Sequence, residues 1–221
     1  MGARLLVPPV LEPIALEEAK AHLRYGLGDQ DDRIVDAIRS ARDAVERHCE
    51  RALLTQTWEF RGQLGIAGWP WPAGSTDWGL AVSDSHRDWF THDLLAVRWG
   101  PPEPGLNGCG GIALPWAAPL QAVESVTCDG VMLAPSDWFV DPTTEPATLY
   151  VTSSAGRLVV TYRCGAVAAI DVPPALKQAT YALLGTYFRW RGDELEPTPE
   201  ASALPLEVQR LLDPYRLAAL A

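Results

Sequence analysis

The chain has 221 residues, 48% hydrophobic and 21% charged, with a formal net charge of -10. That balance gives enough apolar side chain for a substantial core and excludes general disorder. The acidity argues against a broad nucleic-acid or anionic-membrane surface, which needs clustered Lys and Arg, and leaves room only for a local basic patch.

No apolar run approaches the roughly 20 residues of a membrane helix, and prolines interrupt the opening "MGARLLVPPVLEP" before a signal-peptide core can form. The expectation is a soluble product made in the cytoplasm, with no membrane partner. Cys49, Cys109, Cys128 and Cys164 are widely spaced with no CxxC, so neither a zinc ribbon nor a redox dithiol is suggested. They read as buried or incidental thiols.

In chain order, "LEEAKAHLRYGL" repeats Leu16, Ala19, Leu23 and Leu27 at helical spacing, with glutamates in its first turn. Ala15 stands where a capping oxygen would be expected, so this start is weakly capped. In "GDQDDRIVDAIRSARDAVERHCERAL" the spacing predicts an amphipathic helix with Asp29 as N-cap and Ile34, Ile38, Ala41, Val45 and Cys49 along one stripe. Asp36, Arg39, Asp43, Glu46 and Arg47 fall largely on the other faces. His48 and Cys49 resemble a nucleophile pair only on paper, because adjacent helix positions point about 100° apart and cannot share a hydrogen bond. They read as packing at a helix end.

From Thr55 the pattern changes to short β-forming runs punctuated by Pro, Gly and aromatics. A long stretch containing Trp69, Trp71, Trp78, Trp89 and Trp99 lacks helical period and reads as a loop or elaborated hairpin entering the strand "GIALPW". Further strands are expected over "LQAVESVTCDG", "VMLAPSDWFVDP", "ATLYVTS" and "GRLVVTYRCG", with Val123, Val126, Leu149, Val151, Leu158, Val160 and Tyr162 as apolar positions consistent with alternation or short buried runs in a small antiparallel sheet or sandwich. Helix returns at "DVPPALKQATYALLGTYFRWRGDE", with Leu176, Ala179, Leu183, Thr186 or Tyr187, and Trp190 on one face and Gly192 as a stop. The polar linker "GDELEPTPEAS" then leads to "LPLEVQRLLDPYRLAALA", a short amphipathic helix broken near Pro214.

Few constellations suggest chemistry. "GCGG" at 108 to 111 lacks the strand, helix and lysine of a phosphate loop. His86, Asp88, His92 and Asp93 crowd metal-ligand types within eight residues, without HExxH spacing. The carboxylate runs "DQDD" and "GDELE" are explained by solvated faces. The tryptophans suit either a stacking platform for sugars or bases, or subunit contacts and core. No catalytic residue, cofactor or metal is assigned, and the chain is not expected to be an enzyme.

As an ordered set, "EPIALEEAKAHLRYGLGDQDDRIVDAIRSARDAVERHCERALLTQTWEF", "PLQAVESVTCDG", "WFVDP", "RLVVTYRCG", "VPPALKQATYALLGTYFRWR" and "LPLEVQRLLDPYR" resemble the head-tail connector (adaptor) proteins of long-tailed phages and phage-derived gene transfer agents. The likeness spans nearly the whole chain. It departs from the family at Ala15, at "HCER" and in the larger Trp-rich insertion from about 62 to 111.

The resemblance implies an α+β fold. Residues 1–54 and 171–194 would build a helical body, 55–170 a β-rich insertion, and 195–221 a linker with a C-terminal docking arm. It also implies a structural job at the virion neck: a ring, a dodecamer, between the portal protein and the next tail-side component, a stopper or tail terminator. DNA would pass through its channel without sequence-specific binding. Leu206, Val208, Leu211, Leu212 and Tyr215 are the expected portal-docking residues, and removing residues 203–221 is expected to leave the body folded. The rival expectations are a carbohydrate- or surface-binding module built on the tryptophans, and a metal-dependent enzyme built on His86 and His92.

Overall fold

Two antiparallel sheets and a layer of helices meet along one seam in this computed structural model, which describes residues 2–26, 28–64, 97–98, 111–152, 156–189 and 204–217. The fold is α+β. One sheet has the order β1 (Gly2–Val7), β2 (Gln56–Leu64), β9 (Gly156–Cys164), β5 (Leu120–Cys128), β6 (Val131–Met132). The other has the order β3 (Val97–Arg98), β4 (Gly111–Ala113), β8 (Thr148–Val151), β7 (Trp138–Asp141).

Alternation sets the inner face of the larger sheet. In β9, Leu158, Val160, Tyr162 and Cys164 are buried, while Arg157 and Arg163 point outward. Phe60 and Leu64 of β2 and Val126 of β5 join them in a core completed from the smaller sheet by Ile112, Leu149 and Val151. Trp58 stacks on Trp116 with ring centroids 4.9 Å apart, covering the end of this core. Sequence alternation anticipated this arrangement. It did not anticipate β1, which the opening residues form by pairing with β2, Arg4 opposite Glu59 and Leu5 opposite Trp58. "RLLV" makes a strand because β2 offers a free edge, and Pro8 and Pro9, which have no N–H to donate, end it.

The helices are α1 (Leu16–Leu23), α2 (Asp31–Cys49), α3 (Pro174–Arg189) and α4 (Leu206–Leu212). Ile34, Ala37 and Ile38 of α2 pack with Ile14, Ala19 and Leu184 at one end, and Ala41, Val45 and Cys49 pack with Leu176, Ala179 and Leu183 of α3 at the other. The α2 stripe is thus used along its whole length.

Three local expectations change. Helix α1 is shorter than its periodicity suggested, ending where Arg24 turns left-handed at φ 55°. Its start is half capped: Glu18 Oε2 accepts the Ala15 N–H at 3.1 Å, while Ala15 has no oxygen to return the bond. Asp29 does not cap α2. It lies in a 3-10 turn, Gly28–Gln30, and accepts the Tyr25 hydroxyl at 2.8 Å, while Gln30 precedes the helix without a side-chain cap bond.

Candidate functional site at the helix–sheet junction

The segment His48–Gln56 is where helix becomes sheet, and three parts of the chain converge on it. Glu50 takes the left-handed conformation at φ 54° and stops α2. Beyond it, Ala52 N donates to Trp116 O at 3.3 Å, and Ala166 N donates to Leu53 O at 3.1 Å. Arg51 reaches Glu145, in the connection between β7 and β8. Gln121 closes the far side by donating both to Thr55 Oγ1 and to Gly165 O, each at 2.7 Å.

Gly165 is required here. Its φ is +96°, and a Cβ would collide with the Leu54 carbonyl, so only glycine lets the exit of β9 lie against the exit of α2.

Beneath the junction sits Glu46, which the helical pattern had assigned to an outer face. It is 4% exposed. Its Oε1 accepts the Leu53 N–H at 2.9 Å and the Gln56 side-chain amide, and its Oε2 meets Arg42 Nη1 at 2.7 Å. Arg42 is paired in turn with Glu12, Nε to Oε2, at 2.9 Å. Burial pushes the Glu46 carboxyl above its ordinary value, against the attraction of Arg42 and the donated hydrogen bonds. The carboxylate fastens the first residues after α2 back onto the helix. A charged residue at position 46 carries no periodic signal of burial. Only the turn of the chain at Glu50 brings the Leu53 and Gln56 donors to it.

His48 and Cys49 do not face each other. Cys49 is fully buried, with its Sγ 3.8 Å from Leu212 O, and its own carbonyl accepts the Leu217 N–H at 2.9 Å. His48 Nε2 lies 3.2 Å from Asp213 Oδ1. Burial raises the Cys49 thiol to about 11, far from a reactive thiolate at neutral pH. The pair seats the C-terminal segment on the end of α2.

The docking residues named from the sequence all lie on that segment. Val208 and Leu212 are buried against α2 and α3, Leu211 and Tyr215 are half-buried beside them, and Leu206 is 60% exposed. Leu217 adds a further buried contact. Residues 204–217 therefore contribute to the core of the helical layer, a packing that weighs against the expectation that the body stays folded when residues 203–221 are removed. The reason is the amphipathic pattern itself, whose apolar side finds its partner within the same chain.

Among the described residues, no group of three or more His, Cys, Asp or Glu is placed to hold a metal. No described helix is long and apolar enough to cross a membrane. The His86, Asp88, His92 and Asp93 set, Cys109, and Trp69, Trp71, Trp78, Trp89 and Trp99 lie outside the described residues.

No family model matches the chain, and no curated protein matches it. Solved structures do. The chain shares its fold with chains in the neck of a gene transfer agent particle. With the neck of an empty particle computed with C6 symmetry the TM-score is 0.64 at 19% identity, covering 100% of this chain and 98% of that one. With the virion of a native gene transfer agent particle the TM-score is 0.62 at 18% identity, and with the neck of a native particle computed with C12 symmetry it is 0.58 at 18%, both at the same coverage. At such identities the likeness is one of fold.

Proposed function

We propose that this chain is a structural, non-enzymatic component of a virion neck: a head-tail connector, or adaptor, of a tailed phage or gene transfer agent. The observation that carries the reading is the fold likeness to gene transfer agent neck chains over 100% of this chain and 98% of theirs. The order of sequence segments independently resembles the adaptor family. In this role the chain associates with copies of itself in a ring between the portal protein and the next tail-side component, and the ring prolongs the channel through which DNA passes.

The C-terminal segment is the portal-docking element in this proposal. Val208 and Leu212 seat it on α2 and α3, leaving Leu206 outward with Leu211 and Tyr215 half-covered. The buried side of the helix is taken up within the chain, so the anchors it offers a groove on a neighbouring protein are Leu206 and the uncovered parts of Leu211 and Tyr215. The acidity of the chain suits a DNA conduit, since a repulsive wall lets the duplex slide.

The test is quantitative mass spectrometry of purified tailed particles from the source. Near equality of this chain with the portal protein is expected. Its absence from intact particles would remove the neck reading.

A further inference from the structure

Among the described residues, apolar exposure is concentrated in two unlike places. Eleven large apolar side chains are exposed among the described residues; seven fall in residues 5–11 and 167–170, and three more are Val131, Met132 and Phe139. Scattered single exposures are ordinary, whereas contiguous patches mark contact surfaces.

The first patch is concave. Val7, Pro8, Val10 and Leu11, leaving β1, stand opposite Val167, just beyond β9, around an open groove of about 320 Å³ floored by Leu54–Thr57. Its one charged lining residue is Arg163, whose side chain is exposed on the outer face of the sheet.

The second patch is convex. The β5–β6 hairpin turns through Asp129 (φ 51°) and Gly130 (φ 82°), a two-residue turn with both dihedrals positive. Asp129 also ties it to β9, accepting the Arg157 N–H at 2.7 Å. The hairpin is therefore held in shape, with Val131 68% and Met132 70% exposed at its tip. Residues 128–137 contain two aspartates, Asp129 and Asp137, and the one exposed cation beside them, Arg157 across the ladder from Asp129, leaves this corner net negative.

The strand order separates the two. The groove lies at the end of β9 near Arg163 and toward the β1 edge, the hairpin at the other end near Gly156 and on the β6 edge. At about 3.3 Å per residue the separation along β9 is roughly 20 Å, so one chain cannot satisfy its own groove with its own hairpin. A cationic apolar groove and an acidic apolar knob at opposite corners are complementary between copies and not within one.

We infer that the β5–β6 hairpin of one copy, with Val131 and Met132 at its tip, seats in the groove of the next copy between residues 7–11 and Val167, with Asp129 facing Arg163. The contact is heterologous: each copy offers its groove to one neighbour and its knob to the other. Such contacts close into a cyclic ring when the rotation between copies allows it. The inference rests on the ring reading above and names the surfaces that would form the ring.

Disulfide trapping of the full-length chain tests it. Val10→Cys and Met132→Cys place one thiol on each patch, and the unmodified chain, with its native cysteines, is the blank under the same oxidation. Mixing the two single variants should give a covalent dimer, and the double variant should give a ladder of multimers at least tenfold above the blank. Val131→Asp added to the double variant should abolish the ladder without lowering Tm, because position 131 is exposed. A double variant with no ladder overturns the interface, as do dimers formed by Val10→Cys alone, which would indicate a symmetric groove-to-groove contact. Particles that contain the chain, together with an absent ladder, would overturn this interface and leave the neck reading standing. Particles that lack the chain would strike the neck reading, while the ladder still decides the contact between copies.

Discussion

Replacing Glu46 is the sharpest test of how the helices are joined to the sheets. In Glu46→Leu the Leu53 N–H and the Gln56 amide lose their shared acceptor in a region where Gln56 is 2% exposed. Each buried donor left unsatisfied costs about 1–3 kcal/mol, while Arg42 keeps Glu12 as a partner and is not stranded. The expected loss is therefore about 3–5 kcal/mol, which for a chain of this size corresponds to roughly 6–20 °C in Tm. Glu46→Gln retains an acceptor oxygen and should lose only about 1–2 kcal/mol. Urea unfolding at pH 7, followed by intrinsic tryptophan fluorescence and by far-ultraviolet circular dichroism, measures both.

The pH dependence supplies an independent check with a definite sign. Because the folded-state pKa of Glu46 is raised, the folded protein binds its proton more tightly than the unfolded chain does. The proton-linked part of the Glu46 contribution is complete below about 4.5 and is lost as pH rises through the elevated folded value, while the bonds accepted from Leu53 and Gln56 remain. The advantage of the native protein over Glu46→Gln should shrink across that window. A Glu46→Leu loss under about 1 kcal/mol, or an advantage that grows with pH, would refute the assignment of Glu46 as a buried fastening.

Three further outcomes follow from the same seam. Gly165→Ala should cost at least about 2 kcal/mol, from the left-handed backbone and the collision with Leu54 together; unchanged denaturant midpoints would show that the junction relaxes freely. Leu212→Ala should destabilise by about 2–5 kcal/mol and speed proteolysis at the end of α2, whereas Leu206→Ala should leave stability within about 0.5 kcal/mol; equal effects would contradict the seating of α4. Burial holds Cys49 at about 11 and Cys164 at about 12, so maleimide at pH 8 should label neither until urea unfolds the chain. Rapid native labelling of either, mapped by mass spectrometry, would contradict that burial.

The sequence by itself determined the elements whose cause is local. Period 3.6 in Ile34, Ile38, Ala41, Val45 and Cys49 made α2, and alternation in Leu158, Val160, Tyr162 and Cys164 made β9, because in each case one face must leave water. It also supplied the order of segments on which the adaptor resemblance rests, and it showed that His48 and Cys49, as neighbours on a helix, could not act as a pair. Tertiary structure alone decided the rest. β1 exists because an edge of β2 was open, and Glu46 is buried because the chain doubles back at Glu50 to bring it donors. His48 and Cys49 found their use in a segment more than 160 residues away, and the groove and the hairpin became complementary only when the strand order set them at opposite corners. Propensity and periodicity act over a few residues, whereas ladders, ion-pair partners and patches are fixed by which distant surfaces the fold brings together.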